Sequence, residues 1–265
     1  MGRDQRGWAM TLVIALLRRP LMVLTKRDWR GIEHLPREGG CLLVTNHVSE
    51  FDPIPFGHFV VDNGRLPRFL GKAEVFAVPV VGRIVTSAKQ IPVYRKSTDA
   101  ALAFSAAVQA VNDGECVIVY PEGTISRDPD LWPMTGKTGA ARIALTTGCP
   151  VIPCAQWGPN HLLAPYARKP ALFPRKTMHV MAGEPLDLAD LRGQRLTPSV
   201  LREATDRIMA AITVLLEQIR GGQAPEHRFD PKVAGVPETG NPHRTPLGLR
   251  AAPPAGGDEF LGGSA

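Results

Sequence analysis

The side chains best suited to proton chemistry lie in two short segments, Asn46–Asp52 (NHVSEFD) and Tyr120–Thr124 (YPEGT). In the first, His47 precedes Asp52 by five positions. A histidine whose tautomer is held by a carboxylate is the minimum machinery for taking a proton off an alcohol. In the second, an acid, a glycine and a hydroxyl leave an apolar run. Gly123 lets backbone come close to a ligand, and a turn of this kind can offer N–H groups to an anion.

Each segment also has a plainer reading. Five residues apart on a continuous helix are rotated by about 140°, and on a strand they face opposite sides, so His47 and Asp52 meet only if the chain turns back on itself. Pro53 is suited to a first helical position, which makes Asp52 a candidate N-cap with no chemistry at all. Ser49 invites comparison with a His-activated nucleophile, yet no G-x-S-x-G elbow surrounds it, and a local turn hydrogen bond is preferred. Glu50 is read as exposed or supporting. His47, Glu50 and Asp52 lack a second histidine, so no metal is expected. Glu122 at the mouth of an apolar strand calls for a partner such as Arg95, although Arg95 and Lys96 also suit ordinary strand-end solvation. Lys137 in GKTGAAR is like the end of a phosphate-binding loop, but the loop's first glycine is missing.

The elements that would position these residues follow from short apolar runs alternating with helical patterns. Strands are predicted over Cys41–Thr45, Arg68–Gly71, Gln90–Tyr94, Cys116–Tyr120, Val151–Gln156 and Met178–Met181. Helices are predicted over Pro53–Val61, Val75–Ser87, Thr98–Asn112, Gly139–Thr147 and Pro198–Arg220. This alternation implies a single layered α/β domain at residues 31–220, with a mixed, largely parallel sheet flanked by helices. His47, Arg95 and Glu122 each follow a strand, and ligands gather at the carboxyl ends of strands in such sheets. Val75–Ser87, apolar with Pro79 and Gly82 inside it, reads equally as an acyl-chain groove or as core. Under the groove reading, bulk added at Val80 or Val81 changes chain-length preference.

Residues 1–30 differ in character. Trp8–Leu17 is nearly all apolar, Pro20 opens a second short apolar stretch, and seven Lys/Arg flank them. The first run makes a helix of about 15 Å against a hydrocarbon core of about 30 Å, so it does not span. An Arg pair stands where a signal peptide would have its cleavage site. An interfacial helix meeting an anionic membrane surface is the reading the charges favour, with a core helix under the sheet as the alternative. Residues 221–265 hold nine Gly and seven Pro without apolar periodicity, and are expected to form a disordered tail.

Charge and cysteines bound the partners. The net charge is +6; the tail carries four Lys/Arg against five Asp/Glu, which leaves residues 1–220 at +7. An anionic partner is implied, but no basic run exceeds two residues and aromatics are 6%, which argues against nucleic acid. Cys41, Cys116, Cys149 and Cys154 have no CxxC spacing, and buried free thiols in a reducing compartment are expected, on the cytoplasmic side.

With these residues in view, NHVSEFD resembles the H-x4-D motif of the glycerolipid acyltransferases, and YPEGT resembles their (F/Y)-P-E-G-T motif. VIPCAQWG resembles the downstream V-x-P block. The resemblance spans about residues 35–185 and looks most like the bacterial 1-acyl-glycerol-3-phosphate acyltransferases. It implies an enzyme that moves a fatty acyl group from acyl-CoA or acyl carrier protein to the free hydroxyl of lysophosphatidic acid, with no other cofactor. It further implies that His47 is the general base and Asp52 its orienting partner. Arg95, Glu122, Gly123 and Thr124 would hold the glycerophosphate, and Asn46, Arg127 and Lys137 are further candidates for phosphate or acyl-donor contacts. A peripheral seat on the cytoplasmic face of the membrane is implied too. Where the family reads EGTRS this chain reads EGTIS, with Ile125 in the arginine's place and Arg127 near enough to substitute. Glycerol-3-phosphate or another lysophospholipid as acceptor, a lipid esterase built on Ser49, and a non-catalytic lipid-surface module stay open as alternatives.

Overall fold

The computed structural model describes residues 7–93, 97–238 and 240–242. The chain runs α1 (Trp8–Leu24), β1 (Thr25–Arg30), β2 (Cys41–Thr45), α2 (Pro53–Asp62), β3 (Pro67–Lys72), α3 (Ala73–Phe76), α4 (Val81–Ser87), β4 (Ile91–Val93) and α5 (Ser97–Asn112). It continues through β5 (Cys116–Val119), α6 (Gly139–Thr147), β6 (Val151–Trp157), α7 (Pro159–Leu162), β7 (Lys176–Ala182) and α8 (Pro198–Arg220). The seven strands form one sheet in the order β1-β7-β6-β2-β5-β3-β4, and only the β6–β7 pair is antiparallel. The layered α/β domain with a mixed, largely parallel sheet is therefore observed.

β2 and β5 are buried at every position because helices cover both faces, the usual fate of parallel strands joined by crossovers. Side chains alternate across them. Leu42 and Val44 join Val117 against α5, α6 and α8. Cys41 and Leu43 join Ile118, Ile152 and the Phe56, Phe59 and Val60 face of α2. α8 begins with the Thr197 hydroxyl accepting from Val200 N and ends at Gly221 in the left-handed region (φ 65°). All four cysteines are buried free thiols.

Four features depart from the sequence reading. First, Thr25–Arg30 is not a basic flank of N-terminal helices but an edge strand, so the sheet begins before residue 31. Its TKRDWR sequence carries no apolar run because it is held by backbone pairing to β7, with one face in solvent. Second, α1 continues through Pro20, whose missing N–H falls on a turn where Leu16 is exposed. It is not a core helix, since only Ala9, Met10 and Leu21 are buried while Trp8, Leu16 and Val23 face out. Third, Val75–Ser87 breaks into α3 and α4 at Val80 (φ 67°). Val80 and Val81 are exposed, so they do not line a groove; Ile84 and Val85 do. Fourth, the first part of the expected tail lies against the body. Phe229 O accepts from Thr135 N at 3.0 Å, and Glu217 Oε1 accepts from Ala224 N at 2.8 Å. Those bonds replace the apolar burial that its composition lacks. Residues 243–265 lie outside the described part of the chain.

Candidate active site

β2 and β5 are neighbours in register, with Val44 opposite Val119, so the loops that follow them leave the sheet side by side. After β2 the chain turns at Ser49–Asp52, where Asp52 N donates to Ser49 O at 3.2 Å, and enters α2 at Pro53. The turn folds Asp52 back on the histidine: Asp52 Oδ2 lies 2.7 Å from His47 Nδ1 and accepts from Val48 N at 2.6 Å and Ser49 N at 3.0 Å. Asp52 stands at the N-cap of α2 but does not cap it, which settles the plainer reading. It is fully buried, whereas the imidazole keeps 18% of its surface exposed. Burial pushes the Asp52 carboxyl above its ordinary range, opposed by His47 and the two amides. With Nδ1 committed to Asp52, Nε2 is the nitrogen left for chemistry. The Tyr120 ring stacks on the imidazole at 4.4 Å, and the Phe69 ring lies nearly parallel to Tyr120 with centroids 6.4 Å apart.

After β5, Glu122 behaves unlike the expected glycerophosphate ligand. It is 2% exposed, and its two oxygens are taken by backbone: Oε1 accepts from His47 N and Oε2 from Met134 N, both at 3.0 Å. Burial pushes its carboxyl up to about 8, against the pull of those two amides. Glu122 is thus a strut that ties the histidine loop to residue 134, and its partners are amides, not the arginine foreseen at position 95. Arg95 itself lies outside the described residues. The Tyr120–Thr124 turn also spends amides internally, since Gly123 N donates to Tyr120 O and Ser126 N donates to His47 O.

Asn46 is corrected in the same way. It is 1% exposed and clamps β2 to β6, its Oδ1 accepting from Gln156 N at 2.9 Å and its Nδ2 donating to Gln156 O at 3.0 Å. Gly123 sits exposed in the left-handed region (φ 68°), and a Cβ there would stand 3.3 Å from Lys137 Nζ. Gly123 and the ammonium of Lys137 therefore line the same open side. Thr124 is buried, and its Oγ1 accepts from Arg127 at 3.3 Å. Arg127 also donates to the Tyr166 hydroxyl and to the carbonyls of Pro237 and Gly240. Each of those acceptors is neutral, so none of them cancels the guanidinium charge.

Ser49 does not face the imidazole as a nucleophile would. Its hydroxyl donates to Leu163 O at 2.6 Å and accepts from Phe51 N at 3.0 Å, and it is wholly buried. Glu50 accepts from Tyr166 N. The residues that sequence reasoning passed over are Gln156 and Tyr166. Gln156 had a signal, a polar side chain inside an otherwise apolar strand; Tyr166, in a loop without periodicity, had none.

Beside the dyad an apolar cavity of about 210 Å³ is walled by α1, α2 and α4, through residues such as Met10, Ile14, Leu21, Ile54, Ile84 and Val85. It reaches Pro53, next to Asp52, and Phe69, which stacks on Tyr120. The loop after β5 thus carries an exposed ammonium, and a greasy hollow reaches the residue that follows Asp52.

The model of a family described as Acyltransferase matches residues 26–157. A chloroplastic 1-acyl-sn-glycerol-3-phosphate acyltransferase of Brassica napus is 31% identical over 140 residues, which is 52% of this chain and 39% of that one. A 1-acyl-sn-glycerol-3-phosphate acyltransferase of Borreliella burgdorferi is 27% identical over 137 residues, 49% of this chain and 51% of that one. The matched part is thus about half or less of either relative's length. The crystal structure of the lysophosphatidate acyltransferase PlsC from Thermotoga maritima superposes with a TM-score of 0.58 at 22% identity, covering 81% of each chain, and so shares the fold.

Proposed function

Because the model of an acyltransferase family matches residues 26–157, we propose that the protein moves a fatty acyl group from an acyl thioester to the free hydroxyl of lysophosphatidic acid, giving phosphatidic acid. The observation that carries this reading is the 2.7 Å contact between His47 Nδ1 and the buried Asp52 carboxylate. His47 Nε2 takes the proton from the acceptor hydroxyl as its oxygen attacks the thioester carbonyl, whose thiol departs with that proton. Asp52 fixes the tautomer and steadies the imidazolium; loss of such a partner from a Ser-His-Asp triad costs about 10⁴ in rate. No enzyme nucleophile takes part, since the Ser49 hydroxyl is held by Leu163 O. Lys137 and Arg127 receive the phosphate, and the apolar cavity beside Pro53 receives an acyl chain. The thioester is carried by CoA or by acyl carrier protein.

The seat is a membrane surface, on its cytoplasmic face and without crossing it. Trp8, Leu16 and Val23 on α1 and Val78 and Val80 before α4 expose apolar side chains, with Arg18 and Arg19 alongside. Among the described residues no helix is long and apolar enough to cross a bilayer.

The test is purified protein with acyl-CoA, acyl carrier protein thioester and a panel of acceptors. Thiol release that needs lysophosphatidic acid, and that falls at least about 10³-fold in His47→Ala, is expected. Release to water, a preference for glycerol-3-phosphate, or a trapped acyl-enzyme would refute it.

A further inference from the structure

Acyl transfer onto a lysolipid brings two hydrocarbon chains to one imidazole: the chain being moved and the chain the acceptor already carries. Each gains about fourfold in affinity for every methylene a protein withdraws from water. The fold has two hollows to offer them. Besides the cavity walled by α1, α2 and α4, a second apolar cavity of about 340 Å³ lies between α1, the start of α2 and the loop that follows α7. Leu17 and Leu21, one turn apart on α1, and Ile54 on α2 line both cavities, so these three side chains are the partition. Asp52 stands at that partition in the chain: Phe51 before it lines the second cavity, and Pro53 after it lines the first.

The two cavities differ in the charges beside them. The loop of the second is braced by Ala171 N donating to Leu162 O at 2.7 Å and by Ala167 N donating to Ala164 O at 2.9 Å. It is tied to the histidine loop where the Ser49 hydroxyl donates to Leu163 O and Tyr166 N donates to Glu50. Tyr166 falls between Leu163 and Ala167, which line the cavity, and its hydroxyl accepts from Arg127, whose guanidinium lies 5.1 Å from the ring centroid. Among the described residues, none that lines the first cavity bonds Arg127. Arg18, on the wall of the first cavity, is paired with Asp62 at 3.1 Å. Arg168, exposed on the wall of the second, has no ion-pair partner among the described residues. An anionic headgroup therefore finds free cations at the second cavity and a neutralised one at the first.

We propose that the second cavity holds the chain that lysophosphatidic acid already carries, and that the first holds the chain being transferred. The assignment rests on the acyl-transfer reading above, with Arg127 receiving phosphate. A lysolipid held by Arg127 is already at the loop of the second cavity, so its chain enters there, and the thioester's chain takes the first. Leu17, Leu21 and Ile54 keep the two chains apart, and each chain is measured by its own walls. Selectivity for the acceptor's chain is set by Ala167 and Leu172, and selectivity for the donor's chain by Ile84 and Val85.

Ala167→Trp adds bulk to the second cavity from an exposed position, and Leu172→Trp does so from farther along the same loop. The acceptors are lysophosphatidic acids with chains of about six and about sixteen carbons. Either variant should lower kcat/KM for the longer one at least about tenfold, roughly the effect of two buried methylenes, and leave the shorter one unchanged. The preference among acyl-CoA chain lengths should stay that of the wild type. Val85→Trp, in the first cavity, should change the donor preference and leave the acceptor preference alone. Loop variants that shift the donor preference instead would mean the occupants are exchanged. Loop variants that shift neither would mean the second cavity takes no substrate chain. Each of these results overturns the proposal while acyl transfer itself stands. Should the wild type transfer no acyl group to any acceptor, the function proposed above fails, and direct binding of the two lysophosphatidic acids still decides the cavity. Binding of the longer one at least about tenfold weaker in Ala167→Trp is then expected, and equal affinities would refute it.

Discussion

The loops after β2 and β5 leave neighbouring strands at the same end of the sheet, and each brings one buried acid into the site. Their acids are used in opposite ways. Asp52 gives one oxygen to a partly exposed imidazole, so its charge reaches the surface where a substrate meets it. Glu122 gives both oxygens to backbone amides, so its acceptors go into the shape of the loop that carries His47. A carboxylate beside a reacting group is therefore not by itself a ligand or a base. Which atoms its oxygens touch decides.

The largest expected separation between the two is in turnover. Asp52→Asn should lower kcat by about 10³–10⁴ through loss of the tautomer lock, with a small change in unfolding midpoint; an activity loss under tenfold would make the two acids equivalent. Next is pH. Glu122 stays protonated in the folded chain up to about 8 but ionises near its ordinary value, 4.5, when unfolded. The folded state thus binds the extra proton in that window, and stability is expected to fall as pH rises through it, by at most about 5 kcal/mol. Denaturant titrations at pH 5 and 8 check this, and Glu122→Gln should flatten the slope. At fixed pH, Glu122→Gln sets an amide N–H against the N–H of His47 or Met134 and should cost about 1–3 kcal/mol of stability. Its acceptor KM should not change, whereas a phosphate-site ligand would raise it. The smallest effect is Ser49→Ala, about 1 kcal/mol in unfolding with acyl transfer retained; a dead Ser49→Ala variant that folds would revive the esterase reading.

The same contrast marks how far the sequence could be read. The central strands were legible because burial on both faces leaves an uninterrupted apolar run, and the H-x4-D spacing made sense only as a turn, which the structure shows. β1 was not legible, since an edge strand held by backbone bonds can be as polar as TKRDWR. Spacing located Glu122 but could not say which way its carboxylate turns, because that depends on Met134, brought in by a loop. Asn46 and Gln156 meet across 110 positions, and Arg127 reaches Pro237 and Gly240 from as far away. Local pattern carries no record of such encounters.

Removing the first helix is the obvious way to ask whether this protein needs a lipid surface, and the cavity makes that experiment ambiguous. Met10, Val13, Ile14, Leu17 and Leu21 form one side of the hollow beside the dyad. A shortened chain would lose its foothold and the enclosure for its hydrocarbon cargo in the same stroke. Charged replacements confined to the outward residues, Trp8, Leu16 and Val23, would separate adhesion from containment.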